Sequence, residues 1–104
     1  MARRVSVSLP ARLVVGSLEQ GATCVNVSST GVALTVAQPP PLGTKVGVHL
    51  ELPSGHKIAA DAEVVRVANA GEDSVGVRFL NLSQGSLVAL HAYLSELMRT
   101  LDRR

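Results

Sequence analysis

The stretch Asn26-Val27-Ser28-Ser29-Thr30-Gly31 decides how this sequence is interpreted, because it places turn-forming residues between two apolar segments. The segment before the turn, residues 22–27, is rich in β-branched side chains. In the segment after it, residues 32–36, valine or leucine occupies every second position. That period of two is typical of a half-buried strand. The stretch therefore predicts a β-hairpin, and we call residues 26–31 the motif turn.

Four further segments show strand patterns, and residues that favour turns separate them. These segments are residues 11–15, 45–52, 57–67 and 74–80, with turns expected at residues 16–17, 53–55 and 69–73. Within residues 57–67 the apolar positions change parity at Val65, which predicts a β-bulge or a corner bend. Pro39-Pro40-Pro41 cannot donate ladder hydrogen bonds, so we expect an extended spacer there, outside the sheet. Six strands, one of them long and bent, favour a small barrel.

The end of the chain predicts one amphipathic α-helix. Ser83 is a suitable N-cap residue, and apolar residues then recur at spacings of three and four. The residues of this face are Leu87, Leu90, His91, Leu94, Leu97, Met98 and Leu101. We expect the face to pack on an open end or a face of the sheet, or on a second subunit. Its leucines lead us to expect that His91 is a buried core or interface residue.

Length and composition indicate a single domain, residues 1–104, with an aliphatic core. The formal net charge is only +2, but arginines cluster at both ends, so an anionic partner and simple solubility remain alternatives. Cys24 is the single cysteine of the sequence, which excludes an intramolecular disulfide and fits a reducing cytoplasm. No segment approaches the roughly 20 apolar residues that span a bilayer, so we expect neither export nor membrane insertion.

The sequence shows none of the side-chain groupings of enzymes, metal sites or nucleic-acid-binding domains. His49, His56 and His91 lie in separate elements, and no Ser or Cys stands in a nucleophile motif. Asp61 and Glu63 share one side of a strand, where we expect solvated surface carboxylates. The sequence has one Tyr and one Phe, too few for base stacking. We therefore predict a non-enzymatic domain with no metal, no cofactor and no nucleic-acid partner.

The remaining chemistry lies in a basic N-terminal arm, residues 1–9, and in the motif turn. Arg3 and Arg4 offer paired N–H donors to phosphate oxygens and guanine edges. A turn of Asn, Ser and Gly adds amide, hydroxyl and backbone N–H groups, so that the two parts together suit a nucleotide. The same turn is also good hairpin chemistry, since Asn and Ser bond nearby backbone and Gly tolerates positive φ.

The chain resembles the PilZ domain, a bacterial module, over nearly its whole length. The motif turn fits the family's (Asp/Asn)-x-Ser-x-x-Gly motif and is the most specific match. Supporting matches are Leu9-Pro10-Ala11-Arg12-Leu13, Ala62-Glu63-Val64-Val65-Arg66-Val67 and Gly76-Val77-Arg78-Phe79. The resemblance implies a mainly β fold: a six-stranded antiparallel barrel over residues 11–80, followed by a C-terminal α-helix over residues 83–102.

The resemblance also implies a cytoplasmic receptor for cyclic di-GMP. In the family, the motif turn holds this ligand while two arginines of an Arg-x-x-x-Arg arm bind guanine edges and phosphate. Transferred to this chain, Asn26, Ser28 and Gly31 take the turn roles and Arg4 takes the role of the second arginine. The first arginine would lie before Met1. Arg3 is out of register and replaces it only if the arm turns its side chain inward.

Two explanations of the incomplete arm stay open: the true start lies upstream, or the domain has kept the fold and lost the nucleotide. The leading hypothesis is a cyclic di-GMP-binding adaptor that relays the second-messenger level to a motility, pilus or secretion protein. The alternative, supported by the incomplete arm, is a degenerate PilZ-fold protein-interaction module that binds no nucleotide. In both cases we expect a monomer or a weak homodimer with a protein partner.

Overall fold

The computed structural model describes residues 5–67 and 74–102, which form six strands followed by one helix. The elements are β1 (Val5–Val15), β2 (Leu18–Val27), β3 (Gly31–Thr35), β4 (Lys45–Glu51), β5 (Lys57–Val67), β6 (Ser74–Leu82) and α1 (Gln84–Asp102). Neighbouring strands are antiparallel in the order β1-β2-β3-β6-β5-β4, and pairing of β1 with β4 closes the barrel. The expected fold is confirmed, while the turn expected at residues 69–73 lies outside the described residues.

Side chains that alternate along the strands give the barrel an apolar interior. Five valines form one row of that interior, because each pairs with the next across five adjacent strands. In strand order they are Val5, Val27, Val32, Val77 and Val64. None of them is more than 4% exposed. Full burial of such a side chain contributes about 1.5 to 3 kcal/mol, so this row is a major source of stability.

The first two strands begin earlier than the sequence pattern predicts. β1 begins at Val5, so residues 5–9 belong to the barrel and the arm expected at residues 1–9 is shorter. Every odd position from 5 to 15 is apolar, and this alternation continues through Pro10. Pro10 has no N–H group to donate to a neighbouring strand. It is tolerated because β1 pairs with β4 only from Ala11 onward, so no hydrogen bond to β4 is lost at position 10. β2 begins at Leu18, because the turn before it is only two residues long.

The proline-rich connection between β3 and β4 is a structural spacer, as expected. It carries the chain across the barrel, since β3 and β4 are not neighbours. Its end is tied to β5: the Gly43 N–H donates to the Val64 carbonyl at 2.8 Å, and the Val64 N–H donates to the Thr44 carbonyl at 2.9 Å. The Thr44 hydroxyl also donates to the Pro41 carbonyl at 2.6 Å. These bonds fix the spacer against the sheet.

The β-bulge predicted in β5 lies at Val65. Val64 pairs with Val77 and Arg66 pairs with Gly76, so Val65 has no direct partner on β6. Val65 is 46% exposed, whereas Val64 is buried. Without the extra residue, position 66 would face inward like position 64. The bulge therefore turns Arg66 onto the outer face of the barrel.

The helix begins with the predicted N-cap. The Ser83 hydroxyl accepts a hydrogen bond from the Ser86 N–H at 3.1 Å, and the Ser83 carbonyl accepts one from the Leu87 N–H at 2.9 Å. Leu90 and Leu94 join the cluster of interior side chains. α1 contacts β1 and β5, which are not neighbours in the barrel. The helix thus covers an open end of the barrel, which was the first of the expected alternatives.

His91 is exposed, so the expectation of a buried core histidine is wrong, while its alternative role at an interface stays a prediction. An α-helix turns about 100° per residue, which places His91 about 100° around the helix from Leu90, but Leu94 only about 40° away. The buried face is therefore narrower than the apolar pattern of the sequence. Leu87 and Val88, which are 37% and 62% exposed, also lie at or beyond its edge.

Candidate functional site

Ser28 holds the motif turn together from inside. Its side chain is buried, and its Oγ accepts hydrogen bonds from the N–H groups of Thr30 and Gly31, both at 3.2 Å. The Ser28 N–H donates to the Gly31 carbonyl at 2.9 Å, and the hydroxyl proton has that carbonyl or the Thr30 hydroxyl as its acceptor, each at 3.2 Å. The capacity of the hydroxyl is used within the turn. Ser28 therefore shapes the turn, and its direct contact with a ligand stays a prediction.

Gly31 is required by the closeness of β6. A Cβ atom at position 31 would collide with the Val77 carbonyl oxygen and would lie 3.2 Å from the Cα of Arg78. Among the described residues, the glycines with positive φ are Gly16, Gly43 and Gly55. The idea that Gly31 supplies a positive φ is therefore wrong. The glycine instead lets the end of the turn lie directly against the backbone of β6.

Asn26 is the motif residue whose side chain is available for binding. It is half-buried on the outer face of β2 and pairs with Ser6 on one side and Ala33 on the other. Its backbone carbonyl accepts a hydrogen bond from the Cys24 thiol at 3.3 Å. Within residues 5–67 and 74–102, its side-chain amide has no hydrogen-bond partner. The amide therefore keeps two donors and one acceptor for a ligand.

The chain enters the barrel beside the motif turn. Val5, the first residue of β1, pairs with Val27, the last residue of β2. Arg3 and Arg4 directly precede Val5 in the sequence and lie outside the described residues. The register therefore brings the start of β1 to the motif turn, while contact of the two arginines with a ligand stays a prediction.

Two arginines that the sequence motif does not include lie on the outer face near the turn. Arg78 on β6 pairs with Gly31, and Arg66 on β5 pairs with Gly76. Directly paired residues of antiparallel strands project from the same face. The sequence does indicate that Arg78 faces outward, because it stands between Val77 and Phe79, which face inward. Its nearness to Gly31 depends on the pairing of β3 with β6, which no local pattern reveals.

Asp61 and Glu63 lie on the outer face of β5 and are each bonded to β6. The Asp61 carboxylate accepts a hydrogen bond from the Asn81 side chain at 3.1 Å. The Glu63 carboxylate accepts one from the Arg78 guanidinium at 3.2 Å. Because each carboxylate has its own partner on β6, the two do not form an acid–base pair. They are surface groups, as the sequence predicts.

Cys24 is fully buried, as expected of a small apolar residue. Burial raises the pKa of its thiol to about 12, so the thiol is neutral and unreactive near neutral pH. The three histidines are exposed on separate elements. Within the described part of the chain, no group of three or more His, Cys, Asp or Glu side chains is placed to hold a metal ion.

A comparison with protein-family models decides which family shares this arrangement. The model of the PilZ domain matches residues 1–96. The chain belongs to the PilZ domain family. A search of the curated proteins found no match for this PilZ domain. No helical segment in residues 5–67 and 74–102 has both the length and the apolarity needed to cross a bilayer.

Solved structures share the fold of this PilZ domain at low sequence identity. The inhibitor of motility MotI/DgrA of Bacillus subtilis superposes with a TM-score of 0.87 at 19% identity, over 100% of this chain and 53% of its own. The PilZ domain of YcgR from Escherichia coli, solved with c-di-GMP, gives a TM-score of 0.77 at 14% identity, over 96% and 92%. The PilZ domain of CeSA from a cellulose-synthesizing bacterium gives a TM-score of 0.68 at 16% identity, over 94% of this chain and 97% of its own. This chain thus spans about half the length of MotI/DgrA and nearly all of the other two domains.

Proposed function

We propose that this PilZ domain is a cytoplasmic cyclic di-GMP receptor that relays the level of the second messenger to a protein of a motility, pilus or secretion system. One observation carries the proposal: the register places the start of β1, directly after Arg3 and Arg4 in the sequence, beside the motif turn, whose Asn26 amide has no partner among the described residues. The c-di-GMP in the structure of the YcgR domain and the motility role in the name of MotI/DgrA support it.

In this mechanism the turn and the arm have different tasks. The turn is preformed, because Ser28 closes it and Gly31 seats it against β6. It offers the Asn26 amide without having to rearrange. Arg3 and Arg4 supply guanidinium groups for the phosphates and guanine edges. Ligand binding then fixes the arm over the barrel and changes the surface that a protein partner meets.

Calorimetry of the purified chain with cyclic di-GMP tests this proposal. The wild type is expected to bind, and Arg4→Ala or Asn26→Ala is expected to weaken binding about tenfold to a hundredfold, the usual effect of a lost charge-assisted or buried polar contact. Ser28→Ala is expected to weaken binding by loosening the turn, and a lower melting temperature should accompany the loss. Arg12→Ala is the matched control, because Arg12 lies on β1 and its guanidinium is bonded to Glu19 at 2.8 Å.

Thermal unfolding provides a second measurement that does not depend on the heat of binding. A ligand that binds only the folded state raises the melting temperature as its concentration increases. A folded wild type that shows neither heat nor a melting shift at high micromolar cyclic di-GMP would rule out the receptor function.

A nucleotide-independent interaction module is the second candidate function. Leu80, Leu87 and Val88 are 41%, 37% and 62% exposed. Leu80 and Leu87 line a groove that reaches Ser29 and Thr30 of the motif turn. An exposed apolar surface of this kind is typical of protein contacts. Under this alternative the apolar surface binds the partner constitutively, and cyclic di-GMP leaves the melting temperature unchanged.

A further inference from the structure

The outer face of β5 and β6 carries two guanidinium groups beside the motif turn. Arg66 and Arg78 belong to two adjacent rows of paired residues that cross the barrel. One row contains Ser6, Asn26, Ala33, Gly76 and Arg66, and the other contains Gly31, Arg78, Glu63 and Lys45. Each arginine is therefore joined to a residue of the motif turn through directly paired strands.

Arg66 lies across Gly76. A Cβ atom at position 76 would be 3.4 Å from both the Cβ and the Nε of Arg66, and 3.6 Å from its Nη2. The bare backbone of Gly76 thus leaves room for the arginine side chain to cross from β5 over β6. Among the described residues, no acidic group or carbonyl bonds to this guanidinium. Its guanidinium lies over Gly76 of the sheet.

One strand, β3, separates Asn26 from the Gly76 backbone that the Arg66 side chain crosses. Adjacent strands are about 4.8 Å apart, so the backbone of Asn26 on β2 lies about 10 Å from Gly76 on β6. Between them on the outer face lies Ala33, which is 3% exposed and is therefore covered by the atoms around it. The Asn26 and Arg66 side chains therefore lie on the same outer face, on either side of Ala33.

Arg78 lies on the same outer face, and its ion-pair partner is Glu63, a side chain that a ligand can replace. Its Nη2 lies 3.2 Å from the Oε1 of Glu63, and the two side chains are 57% and 30% exposed. Exposed ion pairs of this kind contribute little to stability. A doubly charged phosphodiester ligand can therefore replace Glu63 as the partner of Arg78 without unfolding cost.

We propose that Arg66 and Arg78 form a second cationic wall of the ligand site, beside Ala33 and Gly31, and bind phosphate oxygens of cyclic di-GMP. In the empty domain Glu63 holds Arg78 in place and competes with the ligand for it. This inference rests on the proposed receptor function and goes beyond the motif turn and the arm. It also gives the bulge at Val65 a role, since the bulge turns Arg66 outward.

Calorimetric titration of the full chain with cyclic di-GMP tests the wall. Arg66→Ala and Arg78→Ala are each expected to weaken binding about tenfold to a hundredfold, with unchanged melting temperature in the absence of ligand. Arg66→Lys keeps the charge but loses the paired donors, so a partial recovery is expected. Both alanine variants should also reduce the dependence of affinity on salt concentration, because screening acts on the lost charge contact.

Glu63→Gln tests the competition for Arg78. Removing the carboxylate frees the guanidinium and removes a negative charge near the phosphates, so affinity is expected to rise severalfold. The pair Arg12–Glu19 is the matched control, because it is a similar exposed ion pair at 2.8 Å. Arg12 lies six residues along β1 from Ser6, about 20 Å at 3.3 Å per residue. Arg12→Ala and Glu19→Gln should leave the affinity unchanged.

The outcomes separate this inference from the proposed function. Binding by the wild type that is unchanged in Arg66→Ala and Arg78→Ala would overturn the cationic wall and leave the receptor function standing. Equal losses in Arg12→Ala and Arg78→Ala would also overturn it, because the effect would then reflect net charge alone. A folded wild type that binds no cyclic di-GMP would overturn both.

Discussion

Two rows of residues cross the same five strands, and they differ in composition. The rows are one residue apart on four of the strands and two residues apart on β5, where the bulge at Val65 lies between them. The inner row consists of five buried valines, and the outer row consists of Ser6, Asn26, Ala33, Gly76 and Arg66. The inner row has one chemical property, the exclusion of water. The outer row combines a hydroxyl, an amide, two small residues and a guanidinium. On four of the five strands a single step thus separates stability from the proposed recognition, because successive side chains point to opposite faces.

Val64→Ala and Val65→Ala test this separation most directly, since the same substitution is made at neighbouring positions. Val64 is 1% exposed and belongs to the inner row, whereas Val65 is 46% exposed at the bulge. Val64→Ala is expected to lower the free energy of unfolding by about 2 to 3 kcal/mol, through lost burial and an unfilled cavity. Val65→Ala is expected to change it by less than about 0.5 kcal/mol.

Urea unfolding of the two variants and the wild type measures this difference. Similar losses of stability in both variants would contradict the separation of the two faces. A large loss in Val65→Ala alone would show that the bulge, rather than the valine row, carries the stability of this part of β5.

Gly31→Ala is expected to have the next largest effect, because here the outer face is constrained by backbone packing. The added methyl group would collide with the Val77 carbonyl, which cannot move like the end of a flexible side chain. The expected loss is about 1 to 3 kcal/mol of unfolding free energy. Gly21→Ala on β2 is the control, because a Cβ atom there has no neighbour within 4 Å.

Equilibrium unfolding of both glycine variants checks the prediction. Gly21→Ala is expected to lie within about 0.5 kcal/mol of the wild type. A wild-type stability of Gly31→Ala would mean that β3 can move away from β6. The requirement for glycine at the motif turn would then have to come from the ligand.

The sequence was sufficient to predict the elements whose signals are local. The alternating residues of β3, β4 and β6, the bulge at Val65 and the Ser83 cap all follow from neighbouring residues, and the structure confirms them. The start of β1 was predicted wrongly because Pro10 resembles a boundary. Its tolerance depends on where β4 stops pairing, and this is a long-range property.

The candidate site was predictable only as far as its sequence motif. Asn26, Ser28 and Gly31 stand at recognisable spacing, but the reason for Gly31 is the approach of β6, which lies far away in the sequence. The placement of Arg66 and Arg78 depends likewise on a bulge and on the pairing of β6 with β3 and β5. Composition and periodicity contain no information about the register between distant strands. The arrangement of side chains on the outer face is therefore known only from the structure.

The smallest expected effect concerns Cys24, which lies in the interior beside the outer-face Asn26. Burial raises the pKa of its thiol from 9.0 to about 12. Below pH 9 the thiol is protonated in both the folded and the unfolded chain, so its contribution to stability is fully present. As the pH rises toward 12 the unfolded chain releases the proton first, and the contribution is lost. Between pH 8 and pH 10 the wild type should therefore lose about 1 to 1.5 kcal/mol relative to Cys24→Ala.

Urea unfolding of the wild type and of Cys24→Ala at pH 8, 9 and 10 measures this change in the difference between their free energies of unfolding. The comparison uses the pH dependence and not the absolute values, because the substitution itself removes buried volume. Tyr93 also has a raised pKa, caused by burial and by the nearby Cys24, so it titrates in the same direction in the wild type. A difference between the two proteins that stays constant from pH 8 to pH 10 would show that the thiol ionises as freely in the folded barrel as in the unfolded chain.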